Sequence, residues 1–408
     1  MAIYYSLLGF LLGFGIVIFT IPPLIRVSNA KKFYDVPNER KVSKTIVPTL
    51  GGVAIFIGFI ISTILATDNY VFNELKYIIA GVTLMFFIGL KDDLMDISAL
   101  KKLSVEIVTA CILIGLGDFR FTNLQGAFGL YELNYATSFG ITLFTMIGLI
   151  NAFNLIDGID GLASSVSIVI SSVFGTWFLL AGHYAYGIMC FSLTGSLIGF
   201  FIFNVFGKKN KIFMGDTGSL ILGVVMVILV IKFNELNINQ NLPYAIQAAP
   251  AVSMGILIIP IIDTLRVIFI RIAEKRSPFS PDMNHIHHNF LKLGLSHLKS
   301  TLFIVLINSL FIGFTFAFHR TVNINNLIIS TFILGFTIAY IPCLLYKWKQ
   351  SSNSDIVEKL VSKNRITKIH PIPKPFVLLS DFRLDHSHIL QKKFVVKRKM
   401  PETVETKN

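Results

Sequence analysis

Three aspartates follow an apolar run in the acidic stretch, residues 89–96. If the run continues as a helix, Asp92 and Asp96 share one face and Asp93 lies one position round it. Carboxylates this close repel one another unless a cation neutralises them, and Mg²⁺ is the usual cation where phosphates complete an oxygen shell. The stretch therefore predicts a Mg²⁺ site, in which Mn²⁺ is a chemically acceptable substitute. The alternative is a solvated helix end whose acids are balanced by nearby lysines.

The asparagine stretch, residues 151–161, is typical of a polar cavity wall. Asn151, Asn154 and Asp157 recur at steps of three, each about 60° short of a full helical turn, so all three can face one side of a helix. The two glycines that follow allow a tight break, with Asp160 near the start of the next helix. Polar contact between helices would explain one asparagine but hardly the whole set.

Two single aspartates lie in otherwise apolar surroundings. Asp216 is flanked by Gly215 and Gly218 at the start of an apolar run, where a phosphate or its metal could approach the backbone and Asp216 could ligate the metal. We call residues 213–219 the glycine stretch. The alternative role of Asp216 in this stretch is a simple helix cap. Asp263 is either a buried partner of Arg266 or another site residue.

The histidine stretch, residues 285–288, lies in a long basic loop. His285, His287 and His288, with Arg271 in the same loop, suit an anion such as a pyrophosphate. Zinc is a competing ligand, but neither a cysteine nor a helix-spaced His/Glu pair accompanies the histidines. A merely solvated histidine-rich loop is the third interpretation.

The composition indicates the class of protein that positions these residues. Of 408 residues, 53% are hydrophobic and 14% charged, whereas an average soluble domain has about 25% charged residues. One globular core of this length could not bury so much apolar surface, so lipid must solvate part of it. The composition excludes an ordinary soluble enzyme and predicts an all-α polytopic integral membrane protein.

Apolar runs long enough to cross a bilayer can be read along the chain, and some short ones are allowed by tilt or burial. The third, fourth and eighth runs are the shortest or most polar. An odd number of crossings places the two ends on opposite sides of the membrane. We predict about eleven transmembrane helices, over 3–25, 49–66, 76–91, 103–118, 138–156, 161–181, 187–206, 217–233, 245–270, 301–318 and 324–346.

Basic residues set the orientation. If the N-terminus lies outside and the C-terminus lies in the cytoplasm, 32 of the 36 Lys and Arg residues fall on the cytoplasmic side, as the positive-inside rule requires. This distribution explains the net charge of +13 without nucleic acid. We therefore predict a membrane-embedded domain over 1–346 and a basic cytoplasmic tail over 347–408, either poorly ordered or forming a small appendage.

All four stretches fall on the predicted cytoplasmic side. This convergence predicts one membrane-embedded, metal-dependent site that joins a soluble phosphorylated donor to a lipid acceptor. A transporter is the main rival, but its acids belong near the bilayer midplane, and no inverted repeat is evident. A CDP-alcohol phosphotransferase would need an Ala-Arg pair and later aspartates at a spacing that this sequence lacks.

Five motifs of this sequence, read in order, resemble those of the polyprenyl-phosphate N-acetylhexosamine-1-phosphate transferases. This family is related to the phospho-MurNAc-pentapeptide translocase. The likeness covers about residues 1–346. The histidine stretch resembles the branch that uses UDP-GlcNAc, because Ile286 interrupts the histidine run of the peptidoglycan branch. Ser43 departs from the family, which often has histidine there. The motifs are residues 35–41 with 48–52, the acidic stretch, the asparagine stretch, residues 215–219, and the loop from His285 to His297.

This resemblance implies a Mg²⁺-dependent transfer of N-acetylhexosamine-1-phosphate, most simply GlcNAc-1-phosphate, from a UDP-sugar to undecaprenyl phosphate, with a phospho-MurNAc-pentapeptide transferase as the enzyme alternative. It implies a bacterial cytoplasmic membrane, a site facing the cytoplasm, and partners limited to the UDP-sugar, the polyprenyl phosphate and the membrane, with a homodimer allowed. The candidate catalytic groups are Asp92, Asp93, Asp157, Asp160, His285, His287 and His288. The candidate metal ligands are Asp216 and Asp92, and the candidate substrate-binding residues are Asn38, Lys41, Asn151, Asn154 and Arg271.

Overall fold

The computed structural model describes residues 1–35, 47–277 and 284–363, most of which are helical. Each predicted apolar run contains a helix, and the ninth is broken at Leu257 into two. The helices are α1 (Ala2–Lys31), α2 (Gly51–Thr67), α3 (Leu75–Leu94), α4 (Ala99–Gly115), α5 (Tyr135–Ile156), α6 (Leu162–Leu180), α7 (Tyr184–Phe201), α8 (Gly215–Leu236), α9 (Ala249–Ile256), α10 (Ile258–Ala273), α11 (Ile286–Lys292), α12 (His297–Phe318) and α13 (Ile324–Lys363).

Seven helices in the described part are long and apolar enough to cross a membrane. The all-α polytopic class is thereby confirmed. The other predicted crossings have identifiable departures: α2 has 17 residues, α3 ends in charged residues, α4 carries Glu106, and the α9–α10 pair is broken. The seven helices are α1, α5, α6, α7 with its π-helical extension to Phe206, α8, α12 and α13 as far as Ser351.

Helix α8 lies at the centre of the bundle. Every residue from Thr217 to Ile231 is buried, because the helix is apolar on all sides and packs against α2, α3, α5 and α6. Its first turn carries Asp216 and lies where the ends of several other helices meet. The glycine stretch is thus fixed by its surroundings rather than by a flexible loop.

Two short antiparallel ribbons, which the sequence analysis did not predict, join the helices. Strand β1 (Tyr34–Asp35) pairs with β2 (Val47–Pro48), with Tyr34 opposite Pro48. Strand β3 (Asn123–Ala127) pairs with β4 (Leu130–Glu132). The second ribbon turns through Phe128 and Gly129, both with positive φ, which matches the right-handed twist of paired strands.

Residues Met1–Ser352 form one compact unit. Helix α13 continues past residue 346, where the tail was predicted to begin. The rest of that predicted tail, 364–408, lies outside the described residues. So do Asn38 and Lys41, within 36–46.

Candidate active site

The carboxylate of Asp93, on α3, caps the N-terminus of α8. Its Oδ1 accepts a hydrogen bond from the backbone N–H of Asp216 at 2.8 Å, and its Oδ2 accepts from the backbone N–H and the hydroxyl of Thr217 at 3.0 and 2.5 Å. A helix start leaves such N–H groups without intrahelical partners, and a negative charge there is stabilising. Asp93 therefore fixes the position of Asp216.

Backbone contacts hold the same helix start from a second direction. The N–H groups of Gly51 and Gly52 donate to the carbonyls of Phe213 and Met214 at 2.9 and 2.8 Å. Gly215 has φ of 70°, and a Cβ atom there would lie 2.5 Å from Asp93 Oδ2. Only glycine combines that backbone conformation with so close an approach.

A lysine bridges two of the predicted metal-binding carboxylates. The Nζ atom of Lys102, on α4, lies 2.5 Å from Asp92 Oδ2 and 2.8 Å from Asp216 Oδ2. The other oxygen of Asp92 accepts from the N–H of Ile97 at 2.9 Å, where the chain turns after α3. The sequence predicted that Asp96 shares a helical face with Asp92 if the helix continues. Helix α3 instead ends at Leu94, and Asp96 is exposed beyond that end.

The asparagine stretch contacts both the start of α8 and helix α4. Asn154 donates to Asp216 Oδ1 at 2.7 Å and to the Ser219 hydroxyl at 2.9 Å. Asn151 donates to Glu106 Oε2 at 2.6 Å. Sequence reasoning missed both Glu106 and Lys102 as site residues, although their four-residue spacing on one helix places them on one face.

Asp157, just beyond α5, lies among other acids. Burial and the negative charges of Asp216, Asp93 and Asp160 raise the pKa of its carboxyl to about 8. A proton or a cation relieves the repulsion between these carboxylates, so the surroundings of Asp157 favour positive charge.

Asp160 is engaged elsewhere. Its Oδ2 lies 2.7 Å from Lys211 Nζ and 2.8 Å from His297 Nδ1. Burial opposes its ionised form, but hydrogen bonds from His297 and Lys211 hold the pKa of Asp160 below its usual value. Its carbonyl also accepts from the hydroxyl of Thr301 at 3.0 Å. These contacts tie the turn after α5 to the start of α12.

The histidine stretch packs onto the asparagine stretch. The ring centroids of His285 and His287 are 5.6 Å apart, and those of His287 and His288 are 4.3 Å apart. His287 is 1% exposed, and a Cβ atom on Gly158 would lie 2.1 Å from its Nε2. Neither ring nitrogen of His287 has a hydrogen-bond partner among the described residues. Burial and the charge of His288 lower the pKa of His287 well below its usual value.

The four stretches thus form one continuous set of contacts. The acidic stretch contacts the glycine stretch through Asp93, the glycine stretch contacts Asn154 through Asp216, and the asparagine stretch meets His287 at Gly158. Arg271 is buried in the last turn of α10. Asn38 and Lys41 lie outside the described residues.

The residues suit Mg²⁺ by their chemistry. Asp92, Asp157 and Asp216 offer carboxylate oxygens, the ligands that Mg²⁺ prefers, and the Lys102 ammonium between Asp92 and Asp216 marks a position that favours a cation. Within 1–35, 47–277 and 284–363, no three acidic, histidine or cysteine side chains converge closely enough to hold a metal by themselves. Mg²⁺ bound here would therefore use one or two carboxylates and take further oxygens from phosphates or water.

Comparison with known proteins places this arrangement in a family. The family model described as glycosyl transferase family 4 matches residues 75–234. A relative from Bacillus subtilis (strain 168), named probable undecaprenyl-phosphate N-acetylglucosaminyl 1-phosphate transferase, is 32% identical over 304 residues, which are 74% of this chain and 82% of the relative. The chain belongs to the polyprenyl-phosphate N-acetylhexosamine-1-phosphate transferase family.

Other relatives agree. A protein from Escherichia coli (strain K12), named undecaprenyl-phosphate alpha-N-acetylglucosaminyl 1-phosphate transferase, is 28% identical over 346 residues, 83% of this chain and 91% of the relative. A protein of the same name from Yersinia pestis is 28% identical over 319 residues, 77% of this chain and 85% of the relative. The family 4 match includes the acidic, asparagine and glycine stretches but ends before the histidine stretch. The branch predicted from the sequence is confirmed, and the transporter alternative is not favoured.

Proposed function

We propose that this protein transfers GlcNAc-1-phosphate from UDP-GlcNAc to undecaprenyl phosphate and releases UMP. The main support is the continuous set of contacts from Asp92 to His287, because it gathers carboxylates suited to a cation and imidazoles suited to phosphates in one place. The names of the relatives describe the same class of transfer.

The proposed setting is the bacterial cytoplasmic membrane, with the site facing the cytoplasm. Helices α2, α3 and α4 and the α9–α10 pair supply four crossings beyond the seven long apolar helices, which gives eleven. The N-terminus then lies outside and most Lys and Arg residues lie inside. Assembly as a homodimer stays a prediction.

In the proposed reaction, a phosphate oxygen of the lipid attacks the β-phosphorus of the UDP-sugar, and UMP leaves with the electrons of the broken P–O bond. The histidine stretch, with Lys41, holds the diphosphate by hydrogen bonds, and the Lys41 ammonium offsets its charge. Asn154 and Asp157 shape the nucleotide side of the pocket, and Asn38, Asn151 and Arg271 bind substrate. Mg²⁺, held by Asp216 with Asp92, would neutralise charge between the two anionic reactants.

We favour a single displacement over a covalent aspartyl-phosphate. The lipid phosphate has a second pKa of about 6, so it is mostly a dianion at neutral pH and needs no strong base. In addition, both oxygens of Asp92 and both of Asp93 already pair with Lys102, Ile97, Asp216 or Thr217. A nucleophilic carboxylate would first have to give up these partners.

The purified full-length protein tests this function directly. With UDP-GlcNAc, Mg²⁺ and undecaprenyl phosphate, we expect one UMP for each glycolipid formed, measured by chromatography of both phases. Because one phosphoanhydride replaces another, we also expect added UMP and purified glycolipid to regenerate UDP-GlcNAc. If UMP returns no UDP-GlcNAc, the mechanism is wrong. UDP-GalNAc and the UDP-MurNAc-pentapeptide serve as parallel donors, and a preference for the latter would move the protein to the peptidoglycan branch.

Gly158→Ala should damage the site by direct contact. The added Cβ would overlap the buried ring of His287, so we expect kcat to fall about 100-fold through misplacement of the ring. Gly148→Ala is the matched control, because a Cβ there meets nothing within 4 Å. The two variants are compared by kcat and by thermal unfolding in detergent. Equal kcat values for both would show that His287 does not need its position against Gly158.

A further inference from the structure

A buried aspartate outside the four stretches contacts the histidine stretch. Asp263 lies on α10, shortly after the break at Leu257, and is 2% exposed. Its Oδ2 lies 3.0 Å from His285 Nδ1, and its Oδ1 accepts from the backbone N–H of Ile286 at 2.7 Å. One carboxylate therefore holds both the ring and the main chain at the start of the histidine stretch.

Arg266, one turn further along α10, completes this arrangement. It is 1% exposed. Its Nη2 lies 3.5 Å from Asp263 Oδ1 and also donates to the carbonyl of Asn284. A buried carboxylate needs a cation and hydrogen-bond donors to stay ionised, and Asp263 has both. The pair thus binds residues 284–286 at three points.

The contact also fixes one ring proton of His285. An ionised carboxylate only accepts hydrogen bonds, so the Nδ1 atom of His285 carries the proton that points at Asp263. Nε2, on the opposite side of the ring, is then the nitrogen left for a ligand, and it must carry a proton of its own to bind an acceptor such as a phosphate oxygen. The ring is nearly parallel to that of His287, with 6° between their planes, so the position of one ring constrains the other.

We propose that Asp263 is a positioning residue for the phosphate-binding histidines. It orients His285 so that Nε2, when the ring also carries a proton there, donates to a phosphate oxygen of the sugar nucleotide while the Asp263 carboxylate balances the charge of the imidazolium, and it anchors the main chain that carries His287. This inference rests on the proposed function. Asp263 acts through His285 and does not touch the substrate.

A double-mutant cycle tests this role, with Asp263→Asn, His285→Ala and the double variant in the full-length protein. We expect Asp263→Asn to lower kcat at least about 10-fold in the wild-type background and less than about 2-fold in the His285→Ala background, with KM for undecaprenyl phosphate unchanged. A merely structural role would give the same factor in both backgrounds, and that result would overturn the proposal.

Glu235→Gln is the matched control. Glu235, at the far end of α8, also accepts from a backbone N–H and a hydroxyl, both of Thr122, at 2.7 and 2.6 Å. We expect this variant to keep wild-type kcat. If Asp263→Asn does not accumulate as folded protein, Asp263→Ser, which keeps a short acceptor for the N–H of Ile286, replaces it in the same cycle.

A second readout separates this inference from the proposed function. In protein labelled with ¹⁵N-histidine, the Nδ1–H resonance of His285 is identified by its loss in His285→Ala. We expect Asp263→Asn to shift or remove that resonance and to leave those of the histidines outside the stretch in place. If wild-type protein forms no glycolipid, the proposed function fails, while an unchanged resonance in Asp263→Asn refutes the pairing itself.

Discussion

Asp216→Asn should abolish turnover while the protein stays folded. The substitution keeps the size of the side chain and an acceptor for Asn154, but it removes the charge that pairs with Lys102 at 2.8 Å. Under the proposed function, that charge holds the cation that offsets the reacting phosphates. We therefore expect kcat to fall about 1000-fold, a loss of the size seen when a preorganised electrostatic contact to a transition state is removed.

The control for this variant is Asp118→Asn, the same chemical change at an exposed aspartate, whose carboxylate pairs with nearby Arg120. Mg²⁺ titration followed by thermal unfolding, in the presence of UDP, gives a readout besides turnover. We expect Mg²⁺ to stabilise wild type and Asp118→Asn but not Asp216→Asn. Substantial Mg²⁺-dependent turnover in Asp216→Asn would remove this residue from the metal ligands.

Asp93→Asn should lose both stability and activity, because the carboxylate caps α8. An asparagine offers one acceptor oxygen, and its amide N–H groups would face the donors of Asp216 or Thr217. Leaving such a buried donor unpaired costs about 1–3 kcal/mol of the free energy of unfolding. We expect kcat to fall about 100-fold as well, since the first turn of α8 carries Asp216 and small misplacements are costly.

Thr217→Val separates capping from chemistry at Asp93. It removes the hydroxyl donor at 2.5 Å but keeps both backbone N–H groups, so we expect a smaller loss of stability and of kcat than for Asp93→Asn. Denaturant or thermal unfolding in detergent and steady-state kinetics give both quantities. A variant Asp93→Asn that is fully inactive yet as stable as wild type would assign Asp93 a direct chemical role instead.

The residue types that could do chemistry were predictable from the sequence because lipid tolerates few polar groups. Asn154, Asp157 and Asp216 stand out for that reason, and helical spacing correctly placed Asn154 where it faces another polar group. The class of the fold followed from the same apolar runs that isolate these residues.

The partners of those residues were not predictable. The capping of α8 by Asp93 joins positions more than a hundred residues apart, and no local pattern encodes such a contact. Helical continuity suggested that Asp96 would lie beside Asp92, but α3 ends at Leu94, and Asp92 accepts from the backbone N–H of Ile97 beyond that end. The break at Leu257, which sets the position of Asp263, has no proline or glycine at the breaking residue itself.

The most direct test of the account follows the phosphorus atom. UDP-GlcNAc labelled with ³²P in the β-phosphate is incubated with purified protein, Mg²⁺ and undecaprenyl phosphate, and the organic and aqueous phases are separated. If the four stretches form one site for GlcNAc-1-phosphate transfer, the label moves into the lipid phase in step with the appearance of unlabelled UMP. Label that stays in the aqueous phase, or is released as UDP or inorganic phosphate, would contradict the account.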